Sequence, residues 1–206
     1  MSALTVEQVV VVLDSALAAL AEQRELLRDL DAAVGDGDLG ITVDKGCHAV
    51  RAALAQTQPS TLGDLLRSSG AAFAKANPST MAALVGAGLL AAAKEVGDEQ
   101  TWTPQVAEAV GRAAMKRIAD RGKAEPGDKT LLDALSPSLD ALHEASQGRA
   151  LAAMIAAAQS GVESTTDRGG RRGRAAWVGE RGAGHPDPGA MAYVLFLTSL
   201  QAATQE

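Results

Sequence analysis

Apolar residues recur along most of this chain at three- and four-residue steps, the spacing that places them on one face of a helix. Val6, Val9, Val10, Leu13, Leu17 and Leu20 share such a face and predict a first helix from Thr5 to about Leu30. Gly40 opens a second through roughly Gln56, ended by Pro59, and Thr61 caps a third that reaches about Ala76. Asn77-Pro78-Ser79-Thr80 reads as a stop followed by a new N-terminus. The fourth helix, Met81 to Val96, is almost wholly small and apolar, as a buried helix should be. Thr103-Pro104, a cap followed by proline at the first helical position, starts a fifth that ends near Asp120-Arg121-Gly122. Asp128 is expected to cap a sixth carrying Leu131, Leu132, Leu135, Leu139 and Leu142, kinked or divided at Pro137. The seventh spans about Gly148 to Val162, and Gly189 begins the eighth, Ala190 to about Ala203.

Eight helices joined by mostly short links should alternate up and down. The links after the first, third, fifth and seventh then share one end. They are the most unusual stretches of the chain, which is evidence for a site there that no single motif supplies.

Composition agrees with an all-α fold. Hydrophobic residues make up 47% of the 206 positions but aromatics only 2%, so the core is built from Ala, Leu, Val and Met, which let helices approach closely. This length suits one well-packed domain, and residues 1–206 are read as one. A net charge of −6 disfavours nucleic-acid binding, and the lack of a long apolar run disfavours a membrane span. No signal-like start is present, and the single cysteine, Cys47, cannot form an internal disulfide, so a cytoplasmic location is expected. Cys47 itself reads as a small buried filler.

The candidate chemistry begins at Leu30–Gly40, where Asp31, Asp36 and Asp38 fall within eight positions among Gly35, Gly37 and Gly40. Carboxylates this close repel one another unless a cation sits among them, and an all-oxygen donor set favours Mg²⁺. Gly35-x-Gly37-x-x-Gly40 matches the dinucleotide-binding glycine pattern but follows a helical run, where that pattern carries no meaning. An EF-hand loop fails because its twelfth position is Cys47. A solvated acidic turn is the bland alternative and stays open from spacing alone.

Gly122–Thr130 resembles a phosphate loop with one residue too many, Asp128, and no strand precedes it. Between Glu163 and Gly189, Arg168, Arg171, Arg172, Arg174 and Arg181 lie among glycines, a composition suited to phosphate recognition by guanidinium forks. His185 in this stretch either meets phosphate or shapes a turn. His48 reads as an ordinary core or surface histidine, and His143 as a partner of helix-terminal carbonyls.

Three motifs in order carry a family resemblance: Asp31–Asp38, Arg121–Thr130 and Gly173–Gly189. Over nearly the whole length the chain resembles the L subunit, or nucleotide-binding domain, of dihydroxyacetone kinases. The resemblance implies a barrel of eight antiparallel helices with ADP or ATP at one end. It implies that Asp31, Asp36 and Asp38 hold two Mg²⁺ ions. Gly40, Ile41 and Thr42 would line the phosphate side, Ser79 or Thr80 would supply a hydroxyl donor, and Leu39 and Met81 would also belong to the nucleotide site. Gly122 and Leu131 would border the adenosine. Arg174 would stabilise phosphate, and Asp187, Pro188 and Gly189 would close over the nucleotide.

The implied activity is that of a kinase subunit passing phosphate to a ketose on a separate DhaK-type subunit, which also supplies the general acid and base. A DhaM-type phosphotransferase protein is a further candidate partner, and a homodimer is expected. Two departures stand out: Leu39 replaces a usual histidine, and Pro78–Ala82 replaces a Gly-Gly-Thr-Ser-Gly loop. They leave a nucleotide-sensing adaptor without turnover as the alternative.

Overall fold

The computed structural model describes residues 3–145, 148–172 and 182–205. Among these it is all-α, with nine helices: α1 Val6–Ala21, α2 Arg24–Val34, α3 Leu39–Thr57, α4 Leu62–Ala76, α5 Thr80–Val96, α6 Pro104–Gly122, α7 Leu131–Glu144, α8 Ala150–Thr166 and α9 Pro188–Ala203. A two-residue antiparallel pair, β1 Leu4–Thr5 with β2 Thr101–Trp102, fastens the start of the chain to the α5–α6 link.

The ninth helix comes from a break in the expected first one. The chain leaves the helix at Glu22 and resumes at Arg24, with Gln23 N–H donating to the Leu20 carbonyl and Leu27 N–H to the Gln23 carbonyl. No glycine or proline marks the break, and buried Leu20, Leu27 and Val34 keep a seven-residue apolar spacing across it. Periodicity alone therefore reads straight through. The break lets α2 lie against α3 and run to Val34, which puts Asp31 inside its last turn rather than beyond its end.

Local chemistry accounts for most other boundaries. Thr5, Thr61, Ser79 and Thr103 cap α1, α4, α5 and α6, each accepting from a backbone N–H three residues on. The expected cap at Asp128 is corrected to Thr130, because Thr130 and Asp133 form a reciprocal capping box and Asp128 is turned to other partners. Pro137 does not divide α7. Proline removes the N–H that would bond the Asp133 carbonyl. Gly161 of α8 packs onto that carbonyl so closely that a Cβ there would overlap its oxygen.

Small residues replace aromatic bulk throughout the packing. Gly70, Gly86 and Ala74 bring α4 onto α5, and Gly88 receives Ile118 of α6. The links sort to two ends. At one, Leu62 and Gly63 N–H groups donate to the Glu99 and Gly97 carbonyls, joining the α3–α4 and α5–α6 links. At the other, the α2–α3, α4–α5, α6–α7 and α8–α9 links touch one another through contacts described below.

Gly40 fixes how α2 meets α3, since a Cβ there would overlap the Arg24 carbonyl oxygen and press on the Arg28 amide. Gly40→Ala should therefore destabilise the fold by about 1–3 kcal/mol despite alanine's better helix propensity. Urea unfolding checks this; an unchanged midpoint would contradict it.

Candidate functional site

The α2–α3 link folds three carboxylates onto one another. Asp31 reaches back from α2, and its Oδ2 accepts the Leu39 N–H at 3.1 Å, tying the acid to the first residue of α3. Gly35 makes room: a Cβ there would sit 2.7 Å from Asp31 Oδ1. Gly37 turns the chain at φ +75°, a conformation that side-chain-bearing residues rarely adopt. Asp38 then occupies the N-cap position of α3. One carboxylate oxygen from each of Asp31, Asp36 and Asp38 lies within 4.8 Å of the others. Burial pushes the Asp31 carboxyl above the usual range, and the charges of Asp36 and Asp38 add to that against the opposing Leu39 N–H. This is the electrostatic condition that a divalent cation relieves.

The other three links close around this cluster. Asn77, from the α4–α5 link, donates through Nδ2 to Thr42 Oγ1 at 2.9 Å. Ser79 Oγ accepts the Ala82 N–H at 3.1 Å, while Thr80 is exposed at the start of α5. Met81 and Leu131 flank Gly189, where a Cβ would lie 2.9 Å from Met81 Cε and 3.9 Å from Leu131 Cβ. Asp187 caps α9, its Oδ2 accepting the Ala190 N–H at 2.7 Å. Its carboxyl is pushed up to about 7, chiefly by burial and further by the charges of Asp133 and Asp31, with the Ala190 N–H and Lys129 opposing.

Several expected nucleotide contacts prove to have packing roles as well. The Leu39 side chain lies in the core with Leu27 and Val43, leaving its amide as the group that faces Asp31. Gly40 faces the Arg24 carbonyl, and Thr42 is only 1% exposed. Ile41 is half-buried. Gly122 ends α6 beside Leu84, and Pro188 is buried at the first position of α9. Arg174 falls outside the described residues, as does the rest of 173–181.

Sequence reasoning missed the polar knot at Gly127–Asp133. Asp133 Oδ2 accepts the Thr130 N–H at 2.6 Å and its Oδ1 accepts the Gly127 N–H. Buried Asp128 accepts Arg172 Nε at 2.7 Å, and that bond holds its carboxyl below the usual range. Lys129 is buried beside it. The Thr130-x-x-Asp133 capping pattern was the readable signal, but Arg172, which pairs with Asp128, and the carbonyls that hold Lys129 lie more than 35 residues away.

The remaining singled-out residues stand apart. His48 Nδ1 lies 2.9 Å from the Asp44 carbonyl, exposed. His143 is corrected from a terminal-carbonyl partner to a neighbour of the Glu108 carboxylate on α6, 3.1 Å away, because α6 packs alongside the end of α7. The His185 N–H donates to the Gly182 carbonyl at 3.3 Å. Cys47 is fully buried, and burial pushes its thiol up to about 12.

Comparison with known proteins adds a second line of observation. A family model described as the DAK2 domain matches residues 33–202. The ADP-binding subunit DhaL of a PEP-dependent dihydroxyacetone kinase from Escherichia coli (strain K12) is 31% identical over 189 residues, 89% of this chain and 90% of that protein. The corresponding subunit of PEP-dependent dihydroxyacetone kinase 1 from Listeria innocua is 31% identical, covering 87% of each chain. L-erythrulose 1-kinase of Mycolicibacterium smegmatis is 34% identical across 93% of this chain, which spans 34% of that longer protein. In three dimensions, the dihydroxyacetone kinase of C. freundii in complex with AMP-PNP and Mg²⁺ superposes with a TM-score of 0.75 at 27% identity, covering 96% of this chain and 34% of that one.

The raised Asp187 carboxyl makes stability depend on pH. Its folded value, about 7, lies above the unfolded value of about 3.9, so folding takes up a proton. That contribution is complete below the unfolded value and is lost as pH rises through about 7. In metal-free buffer, Asp187→Asn keeps the capping oxygen without the charge. It should gain stability relative to the parent as pH rises from 5 to 8, read by urea unfolding at each pH. A difference that does not vary with pH would contradict the assignment.

Proposed function

The chain belongs to the DAK2-domain family, and from that membership we propose that it is the nucleotide-carrying half of a two-part ketose kinase. The observation that carries the reading is the convergence of three carboxylate oxygens within 4.8 Å at the end where four helix links meet. The residues fit a hard cation, since the donors are all oxygen and burial already strains the charged form of Asp31. Asp31, Asp36 and Asp38 would hold two Mg²⁺ ions. When bound, Mg²⁺ neutralises phosphate charge, the main requirement of phosphoryl transfer.

The chain's own groups do the positioning. Leu39 N–H keeps Asp31 aimed into the cluster. The N–H groups at the start of α3, those of Gly40 and Ile41, would favour an anion. The Ser79 hydroxyl keeps its own hydrogen as a donor while its oxygen caps α5, and Thr80 is open to a ligand. Met81, Gly122 and Leu131 would border the adenosine, and Asp187, Pro188 and Gly189 the far side. Arg174 is our candidate for phosphate stabilisation. General acid and base come from a DhaK-type partner that binds the ketose, in keeping with the relatives named ADP-binding subunits. Similarity to erythrulose kinases supports a small ketose as acceptor, with dihydroxyacetone the first to try. Either ATP exchange or a DhaM-type donor acting on bound ADP would reload the site.

A second reading, a nucleotide-sensing adaptor without turnover, is favoured by one observation. Leu39 buries its side chain in the core, where the family resemblance implies a polar histidine.

Calorimetric titration with ADP separates these readings from a bare scaffold. Binding should require Mg²⁺, and Asp36→Asn should weaken it by at least about tenfold with the helical circular dichroism unchanged. Metal-independent or absent binding would contradict both readings. Phosphate transfer to dihydroxyacetone in the presence of a DhaK-type subunit distinguishes the kinase from the adaptor.

A further inference from the structure

Lys129 sits in the α6–α7 link, 2% exposed, with its backbone at φ +62°. A side-chain-bearing residue holds that left-handed conformation only where its surroundings impose it. The tip of the side chain is held as well. Nζ donates to the carbonyl oxygens of Thr166 at 2.9 Å, Arg168 at 2.7 Å and Gly182 at 2.8 Å. An ammonium has three donors and no acceptor, so its capacity is filled. The lysine of the phosphate-loop-like run is therefore no free phosphate ligand: contact with phosphate would cost it a backbone carbonyl.

The three carbonyls come from two separate stretches. Thr166 ends α8 and Arg168 follows it, whereas Gly182 begins the run leading to Asp187 and α9. Gly182 lies beside Val34, the last residue of α2, where a Cβ on the glycine would be 3.6 Å from Val34 Cγ1. Two more bonds tighten the same junction: Gly184 N–H donates to the Thr166 carbonyl at 2.9 Å, and Arg171 N–H to the Asp128 carbonyl at 3.2 Å. Burial lowers the ammonium's proton affinity, while the charges of Asp187 and Asp167 oppose that.

We propose that Lys129 is a positioning residue of the nucleotide site, an internal cation whose three carbonyl bonds fix the Gly182–Pro188 run beside the acidic α2–α3 link. It touches neither metal nor nucleotide, and it acts through the backbone that presents Asp187, Pro188 and Gly189. The inference rests on the nucleotide-binding reading above. Removing the ammonium takes a donor from all three carbonyls, leaving Thr166 only the Gly184 N–H, and the run shifts away from Val34. Misplacement of a binding segment by about an ångström weakens function by about tenfold to a hundredfold.

Calorimetric titration of Mg²⁺-ADP into the parent protein and Lys129→Met tests this, alongside electron paramagnetic resonance of Mn²⁺ added without nucleotide. The variant should bind Mg²⁺-ADP about tenfold to a hundredfold more weakly while its Mn²⁺ signal matches the parent's, because the acidic cluster is built on α2 and α3. A lysine that served only the fold would lower the melting temperature yet leave the nucleotide affinity of the folded protein unchanged, and that result overturns the proposal. Failure of the parent itself to bind overturns the functional reading and this inference together. Should Lys129→Met not fold, hydrogen exchange of the ligand-free parent decides. The Gly184 and His185 amides should already be protected before nucleotide is added, and exchange at the rate of an open chain would overturn the proposal.

Discussion

Three carboxylates held within 4.8 Å of one another repel, and the backbone of the α2–α3 link is what keeps them there. Asp31 cannot swing away because Leu39 N–H holds it, and the link cannot open because Gly40 seats α3 directly on the Arg24 carbonyl. The repulsion is thus built into the packing of two helices. Gly35 and Gly37 serve the same end, one by yielding space to the Asp31 carboxylate and the other by turning the chain at positive φ.

Around this negative centre the structure places groups that answer charge without cancelling it. Asp187 is buried nearby with a carboxyl pushed up to about 7, so its protonation state responds to any cation brought close. Asp128 is engaged by Arg172 and the Glu125 N–H, and Lys129 by three carbonyls. Among the described residues, Lys129 and Arg172 are therefore spent on holding links together, and the acidic cluster remains a place where divalent charge fits. A polyphosphate lying across such a site would share the cation and meet the N–H groups at the start of α3.

Much of the fold was legible because capping chemistry is local. Thr61, Ser79 and Thr103-Pro104 announce α4, α5 and α6 within four residues, and the all-apolar run of α5 announces its burial. The break at Glu22–Gln23 was not legible, since the buried leucine spacing continues through it and no special residue marks it. The α7 cap was misplaced because Asp128 and Thr130 are both good caps by type; the local Thr130–Asp133 capping box decides between them, while Asp128 is taken up by distant Arg172. At the site, Asp31, Asp36 and Asp38 were readable from spacing, and the structure brings their oxygens together. The pairing of Thr42 with Asn77 and the carbonyl cage of Lys129 depend on tertiary neighbours 35 or more residues away, beyond any local pattern.

The central claim is that these carboxylates jointly grip divalent cations against a nucleotide. Crystals grown with Mn²⁺ and ADP test it most directly, through anomalous scattering at the manganese edge. The account predicts manganese peaks bounded by carboxylate oxygens of Asp31, Asp36 and Asp38, with the diphosphate on their open side. Manganese found elsewhere, or the three side chains splayed into solvent with ADP bound at another surface, would contradict it.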